Sequence, residues 1–196
     1  MTRLPRTDQE VYRHLREYRD QLGHTPGIGW GEITDGRLVM MMSPKAQHQL
    51  IGAKIRRGLE PQLADDLMLM VATDMEDAGL GVLRVPDLAV FNADARPTDA
   101  DALAAVDCHL VVEIVSRSNA SNDYEGKLAD YPAMGIPHYV IVDPRDGTAV
   151  HYWAPSQRTG RPAYDNRQRY QFGDTITVNE WKIDTSTLPL YRKGEQ

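Results

Sequence analysis

The spacing of hydrophobic residues near the start of the chain is typical of a helix followed by a hairpin. Thr7-Asp8-Gln9-Glu10 has the form of a capping box and predicts the start of a first helix. Hydrophobic residues then recur at i, i+4 and i+7 on the face that we expect to turn inward: Val11, Leu15 and Tyr18. An Asp-Gly pair between the apolar runs GWGEI and RLVMMM predicts a β-hairpin after this helix.

The rest of the chain combines two further helical patterns with several strand-like runs. Ser43-Pro44 predicts the start of a second helix, because serine caps helices and proline tolerates the first helical position. Its predicted inward stripe comprises His48, Ile51, Ile55, Leu59 and Leu63. From residue 67 the period becomes that of strands, in the runs LMLMVAT, VLRVPDLAVF, HLVVEIV and YVIVD, and a third helix fits residues 123–134. This alternation predicts an α/β or α+β fold in which HLVVEIV and YVIVD are central strands.

Composition narrows the class of protein. The 196 residues are enough for one domain, which we place over residues 1–196. No apolar run approaches the ~18 residues that cross a bilayer, so we expect a cytoplasmic protein that does not bind membranes. The single cysteine excludes a disulfide framework and a zinc cluster of thiolates. A net charge of −6 gives no overall attraction to nucleic acid, so such binding would need a local basic patch.

Two carboxylates interrupt the apolar runs. Asp87 follows Pro86 inside VLRVPDLAVF, and Glu113 lies inside HLVVEIV. Each could lie on the solvent face of an edge strand, although the apolar residues on both sides of Glu113 favour a central strand. If neighbouring strands bring the two together, they form a pair of hard oxygen ligands suited to Mg²⁺ or Mn²⁺. Without metal, each should raise the pKa of the other.

Lys127 lies on the same face of the third predicted helix as Tyr124, Leu128 and Tyr131. Its stem could pack while its ammonium reaches water. Alternatively, the helix begins about ten residues after Glu113 and therefore packs near the end of that strand, where the carboxylates would lie. An ammonium beside two carboxylates and a metal ion is typical of phosphodiester hydrolysis.

These residues carry a family resemblance. Pro86-Asp87, then Glu113, then a lysine resemble the PD-(D/E)xK nuclease superfamily. A longer ordered set resembles the Uma-type "putative restriction endonuclease" family over nearly the whole chain: GEITDGRLVMMMSPKAQHQLIGAKI, VPDLAVF, LVVEIVSRSNASNDYEGKLADYPAMGIPHYVIVDP and VHYW.

The resemblance implies a restriction-endonuclease-like core, which is a mixed central sheet flanked by helices, with additional β-hairpins. It implies that Asp87 and Glu113 are the catalytic metal ligands for Mg²⁺ or Mn²⁺. Val115 stands where the common motif has its lysine, and the resemblance implies that Lys127 supplies the catalytic ammonium instead.

Three further residues are candidates for a supporting role. His48 could orient water near the site, or it could be a hydrogen-bonded core residue. Glu32 matches a family position in the GWGEI strand, but it could equally order the hairpin. Ser116 follows Glu113 closely and could bind a phosphate or a metal-bound water, or shape the loop into the helix.

The leading hypothesis is a Mg²⁺-dependent endonuclease that hydrolyses DNA, with RNA as another possible substrate. The competing hypothesis is a catalytically silent interaction module that keeps the nuclease fold and dimerises. We expect a homodimer, because duplex DNA offers two strands to cut and RLVMMM has apolar side chains on both faces of its strand. Basic residues of the first two helices are candidate substrate contacts: Arg13, Arg16, Arg19, Lys45, Lys54, Arg56 and Arg57.

Overall fold

The computed structural model describes residues 7–22, 28–98, 101–117, 120–158 and 160–191. In chain order, its helices and strands are α1 (Gln9–Leu22), β1 (Ile28–Thr34), β2 (Arg37–Met42), α2 (Ala46–Leu59), β3 (Leu67–Val71), β4 (Met75–Asp77), β5 (Val82–Arg84), β6 (Leu88–Asn92), β7 (Leu103–Ala104), β8 (Cys108–Ile114), α3 (Lys127–Met134), β9 (His138–Asp143), β10 (Thr148–Ser156), β11 (Ala163–Gln171), β12 (Thr175–Val178) and β13 (Trp181–Asp184).

A six-stranded mixed sheet forms the centre of the fold, in the order β11-β10-β9-β8-β6-β3. Strands β8 and β9 pair in parallel, and the other neighbours in this sheet pair antiparallel. The crossover between β8 and β9 contains α3, as a parallel pair requires. The prediction that HLVVEIV and YVIVD are central strands is therefore confirmed.

Each face of the central sheet is covered by different elements. On one face, Ile51 and Ile55 of α2 pack with Val112 of β8 and with the β12–β13 hairpin. On the other face, Tyr131 of α3 packs with Val111 of β8. The smaller sheet, in the order β2-β1-β5-β4-β7, also contributes to this second face through β4 and β5. The prediction of an α+β fold with a mixed sheet flanked by helices is confirmed.

The first helix turns a different face inward from the one predicted. Val11 and Tyr18 are 41% and 56% exposed, whereas Tyr12 and Arg16 are buried. The buried side of α1 is polar, and its Tyr12 hydroxyl donates a hydrogen bond to Glu76 Oε2 at 2.6 Å. The helix also begins one residue later than its capping box indicates, because Asp8 Oδ1 accepts the backbone N–H groups of residues 10 and 11.

The other two helices follow the predicted patterns, with differences at their first turns. Helix α2 begins at Ala46 with Lys45 at the N-cap position, so Ser43 does not cap it. A 3₁₀ turn with Pro61, Glu60–Gln62, follows α2, so Leu63 of the predicted stripe lies beyond the helix. A π-helical turn, Asn122–Gly126, precedes α3. Among the described residues, no helix is both long and apolar enough to span a membrane.

Candidate active site

The predicted carboxylates lie on neighbouring strands of the central sheet. Asp87 immediately precedes β6, and Glu113 is near the end of β8, where Leu88 pairs with Val112 in antiparallel register. The backbone N–H of Asp87 donates to Glu113 Oε2 at 3.4 Å. Pairing of two apolar runs therefore brings together two acidic residues that are 26 positions apart in the sequence.

Asp87 forms the more open part of the site, since its side chain is 26% exposed. Its Oδ1 lies 2.9 Å from His48 Nε2, and its Oδ2 accepts the backbone N–H of Ile114 at 2.8 Å. Burial alone would raise the pKa of Asp87, but the hydrogen bond and charge of His48, with the Lys127 ammonium, hold it below its ordinary value. Asp87 is therefore poised as a carboxylate.

Glu113 is buried among polar partners. Its Oε1 lies 2.8 Å from Lys127 Nζ and accepts the Tyr131 hydroxyl at 2.5 Å. Burial raises the pKa of Glu113 well above its ordinary value, and repulsion from Asp87 and Asp123 adds to this against the opposing charge of Lys127. The two members of the acid pair thus shift in opposite directions.

Lys127 points into the site from the first residue of α3. Besides Glu113, its ammonium lies 3.4 Å from Asp123 Oδ1 and 3.7 Å from Glu32 Oε1. Burial alone would lower the pKa of Lys127, but Glu113 and the other carboxylates raise it above the ordinary value. The side chain is buried, so the interpretation of Lys127 as a lysine that reaches water is wrong.

A buried network behind the catalytic candidates was not predicted. Arg84 donates to Glu32 Oε2 at 2.6 Å and to Asp130 Oδ2 at 2.9 Å, and all three side chains are buried. Arg84 therefore ties β5 to β1 and α3. The sequence does contain a sign of this network, because Arg84 interrupts the same apolar run, VLRVPDLAVF, as Asp87.

The structure also places the supporting candidates. Glu32 joins the Arg84 network, and His48 contacts Asp87 directly. Ser116 is half-buried just after β8. Tyr191 was not predicted, but its hydroxyl donates to the Val115 carbonyl at 3.0 Å and lies 3.5 Å from His48 Nδ1. Tyr191 lies far along the chain from the other site residues, so no local sequence pattern points to it.

Arg16 and Arg19 are poorly placed to contact a substrate, contrary to the prediction. Arg19 donates to both carboxylate oxygens of Asp74 at 2.6 and 2.7 Å, and its Nε donates to the Gly31 carbonyl. Arg16 is buried beside Asp74 and Glu76. These arginines instead attach α1 to the smaller sheet.

The residues around Asp87 and Glu113 fit a hard divalent cation by charge and donor type. Two permanent cations, Arg84 and Lys127, share this network with five carboxylates: Glu32, Asp87, Glu113, Asp123 and Asp130. A carboxylate has about four lone-pair sites, so Asp87 and Glu113 retain some for a metal ion. Within the described ranges, no three His, Cys, Asp or Glu side chains are arranged to hold a metal ion. A Mg²⁺ on this pair would therefore take further ligands from water and substrate.

Comparison with solved structures gives the class of fold. A crystal structure described as "a putative nuclease belonging to DUF820", from Anabaena variabilis ATCC 29413, matches with a TM-score of 0.63. The match covers 89% of this chain and 96% of that chain, at 16% sequence identity. The chain therefore has the mixed α+β fold of that protein.

Comparison with protein families identifies the family to which the chain belongs. The model of the Uma2 family, described as "Putative restriction endonuclease", matches residues 15–184. The chain belongs to the Uma2 family, which confirms the resemblance and supports a nuclease function. No curated protein matches the chain.

Proposed function

We propose that this chain is a divalent-metal-dependent nuclease that hydrolyses phosphodiester bonds in DNA. The observation that carries the proposal is the approach of Lys127 Nζ to within 2.8 Å of Glu113, beside Asp87 on the adjacent strand. Membership of a family described as "Putative restriction endonuclease" supports the same activity. An ammonium next to an acid pair suits the activation of water and the stabilisation of charge on phosphorus.

Each residue has a distinct part in this proposal. Asp87 and Glu113 hold Mg²⁺ or Mn²⁺, which when bound supplies water of lowered pKa and neutralises charge on the phosphate. Lys127 stays cationic and orients the attacking water through its N–H donors. His48 fixes the orientation of the Asp87 carboxylate through their 2.9 Å contact. Tyr131 does the same for Glu113.

The proposal is tested by incubating the chain with supercoiled plasmid, single-stranded DNA and structured RNA in Mg²⁺, Mn²⁺ or EDTA. We expect cleavage of the plasmid with either metal and none in EDTA. Glu113→Gln should abolish this cleavage, whereas Glu10→Gln, an exposed change on α1, should not. If the chain cleaves none of the three substrates, the result would instead favour the silent interaction module.

We further propose that the chain forms a homodimer through β2. This strand lies at the edge of the smaller sheet, and Met42 and Met40 are 72% and 37% exposed. Trp30, on the adjacent strand β1, is also exposed. Exposed apolar side chains clustered at a sheet edge are typical of a contact surface.

Light scattering at micromolar concentration should therefore give the mass of a dimer. Replacing Met40 and Met42 together by glutamate should give a monomer, because each interface would then bury four like charges. Val106→Glu is the matched control, since Val106 is exposed in a different part of the chain. A monomeric wild-type chain would contradict the proposal.

A further inference from the structure

The candidate site offers an incoming phosphate few accessible cations. Lys127 and Arg84 are both buried and bonded to carboxylates. Arg145, near the end of β9, donates to both oxygens of Asp143 at 2.9 and 2.6 Å. The carboxylates outnumber the cations in the network, so an exposed cation at the entrance would add to the attraction that a bound metal ion exerts on an incoming phosphodiester.

Arg117 is an exposed cation close to Glu113 in the chain. It follows Glu113 by four residues, on the segment that leaves the carboxyl end of β8. Its guanidinium lies 5.1 Å from the centre of the Tyr191 ring, within the range of a cation–π contact. The same tyrosine reaches His48, which contacts Asp87. A continuous set of contacts therefore connects Arg117 to the open carboxylate.

Tyr191 comes from a segment that lies outside the family match, which ends at residue 184. Leu188 of this segment is buried in the core with α2. The backbone N–H of Tyr191 donates to the Pro144 carbonyl at 2.9 Å, and its hydroxyl donates to the Val115 carbonyl. These contacts hold the ring of Tyr191 between the turn after β9 and the end of β8, so its position is well defined.

We propose that Arg117 binds a phosphate of the nucleic acid at the entrance of the site, and that Tyr191 positions both Arg117 and His48. The inference rests on the proposed nuclease function. Arginine suits this role because its planar guanidinium donates to two phosphate oxygens at once and stacks on an aromatic ring. The ring of Tyr191 acts on Arg117, and its hydroxyl acts on His48.

Substitutions can distinguish the role of the Tyr191 ring from that of its hydroxyl. Arg117→Gln removes the phosphate contact, so we expect KM for a duplex to rise about tenfold with kcat within about twofold of wild type. Tyr191→Phe keeps the ring, so KM should stay near wild type while kcat falls. Tyr191→Leu should raise KM and lower kcat. Arg169→Gln, an exposed arginine on β11, is the matched control and should change neither.

Binding without cleavage gives a second measurement. The anisotropy of a labelled duplex, titrated in EDTA over a series of salt concentrations, gives the slope of log K against log salt. Arg117→Gln should reduce this slope by about one, and Arg169→Gln should leave it unchanged. Melting temperatures should show that the variants are folded.

The outcomes separate this inference from the nuclease proposal. If wild type cleaves and Arg117→Gln matches it in KM and salt slope, the inference is overturned and the nuclease function stands. The same holds if Arg169→Gln loses as much as Arg117→Gln, since the effect would then be one of overall charge. If wild type neither binds nor cleaves nucleic acid, both proposals are overturned.

Discussion

The pKa values of Asp87 and Glu113 shift in opposite directions although the two residues lie side by side. We predicted that each would raise the pKa of the other. This holds for Glu113, where burial and its acidic neighbours outweigh Lys127. The pKa of Asp87 is nevertheless lowered overall, because the contacts with His48 and the charge of Lys127 outweigh its burial. Because the pKa of Glu113 is raised, a metal ion that binds to this pair competes with a proton on Glu113. Metal binding should therefore depend on pH.

The raised pKa of Glu113 predicts that metal affinity increases with pH. Above the ordinary pKa of a glutamate, the unfolded chain has lost this proton while the folded chain retains it, so the stability of the metal-free protein falls as pH rises. A bound metal ion must displace the same proton. Calorimetric Mn²⁺ titrations from about pH 5 to about pH 8 should therefore show rising affinity.

Glu113→Gln serves as the control for this dependence, since it removes the titrating group. The variant should bind Mn²⁺ weakly and with little variation over the same pH range. A wild-type affinity that is constant or falls with pH would contradict the assignment of Glu113 as a metal ligand.

Lys127→Met should destabilise the metal-free protein. It leaves Glu113, Glu32 and Asp123 without their shared cation, and removing one partner of a buried ion pair costs about 3–5 kcal/mol. Mn²⁺ restores positive charge, so its stabilising effect should exceed that in wild type while cleavage is lost. Thermal melting of the variant with and without Mn²⁺ measures both effects. Lys54→Met, on the exposed side of α2, should melt like wild type.

At the scale of elements, hydrophobic pattern predicted the central strands, but it merged β5 and β6, which lie in different sheets, into one run. It predicted the helix faces less well. The apolar runs HLVVEIV and YVIVD could be assigned as central strands because both of their faces are buried. The face of α1 could not, because Tyr12, Arg16 and Arg19 are held inward by carboxylates from distant β4 and its preceding loop. A polar inward face depends on partners that only the fold supplies.

Arg84 should be the polar residue on which the attachment of α3 to the smaller sheet depends most. Arg84→Met leaves two buried carboxylates, Glu32 and Asp130, without their cation, and we expect a loss of about 3–5 kcal/mol of unfolding free energy. The exposed pair Arg56–Glu60 is the matched control, and Arg56→Met should cost far less, because solvent screens this pair. Urea denaturation measures both, and equal losses would contradict the role of the network.

For the whole molecule, the sequence indicated which residues to examine but not everything that surrounds them. Asp87 and Glu113 stood out because acids inside apolar runs are unusual, and strand pairing then placed them together. Arg84 and Tyr191 required contacts across 46 and 76 residues, respectively, with Asp130 and Val115. No local pattern marks such contacts, so Arg84 and Tyr191 could not be predicted, whereas the supporting residues Glu32 and His48 could.

Metal binding should raise the melting temperature of the whole molecule. An ion that binds only the folded state stabilises it by RT ln(1 + [L]/Kd), which is about 2.7 kcal/mol at a hundred times Kd. For a chain of this length, each kcal/mol moves Tm by about 2–4 °C, so saturating Mn²⁺ should raise Tm by about 5–11 °C.

Asp87→Asn should abolish most of this shift. The amide oxygen can still accept the N–H of Ile114, and the repulsion on Glu113 disappears, but the contact of the carboxylate with His48 is weakened. These changes offset one another, so the metal-free variant should lie within about 1 kcal/mol of wild type. Asp65→Asn, at an exposed turn before β3, is the matched control and should keep the full shift. If Asp87→Asn unfolds the protein or retains the full Mn²⁺ shift, Asp87 is a structural residue, and the metal must bind elsewhere or not at all.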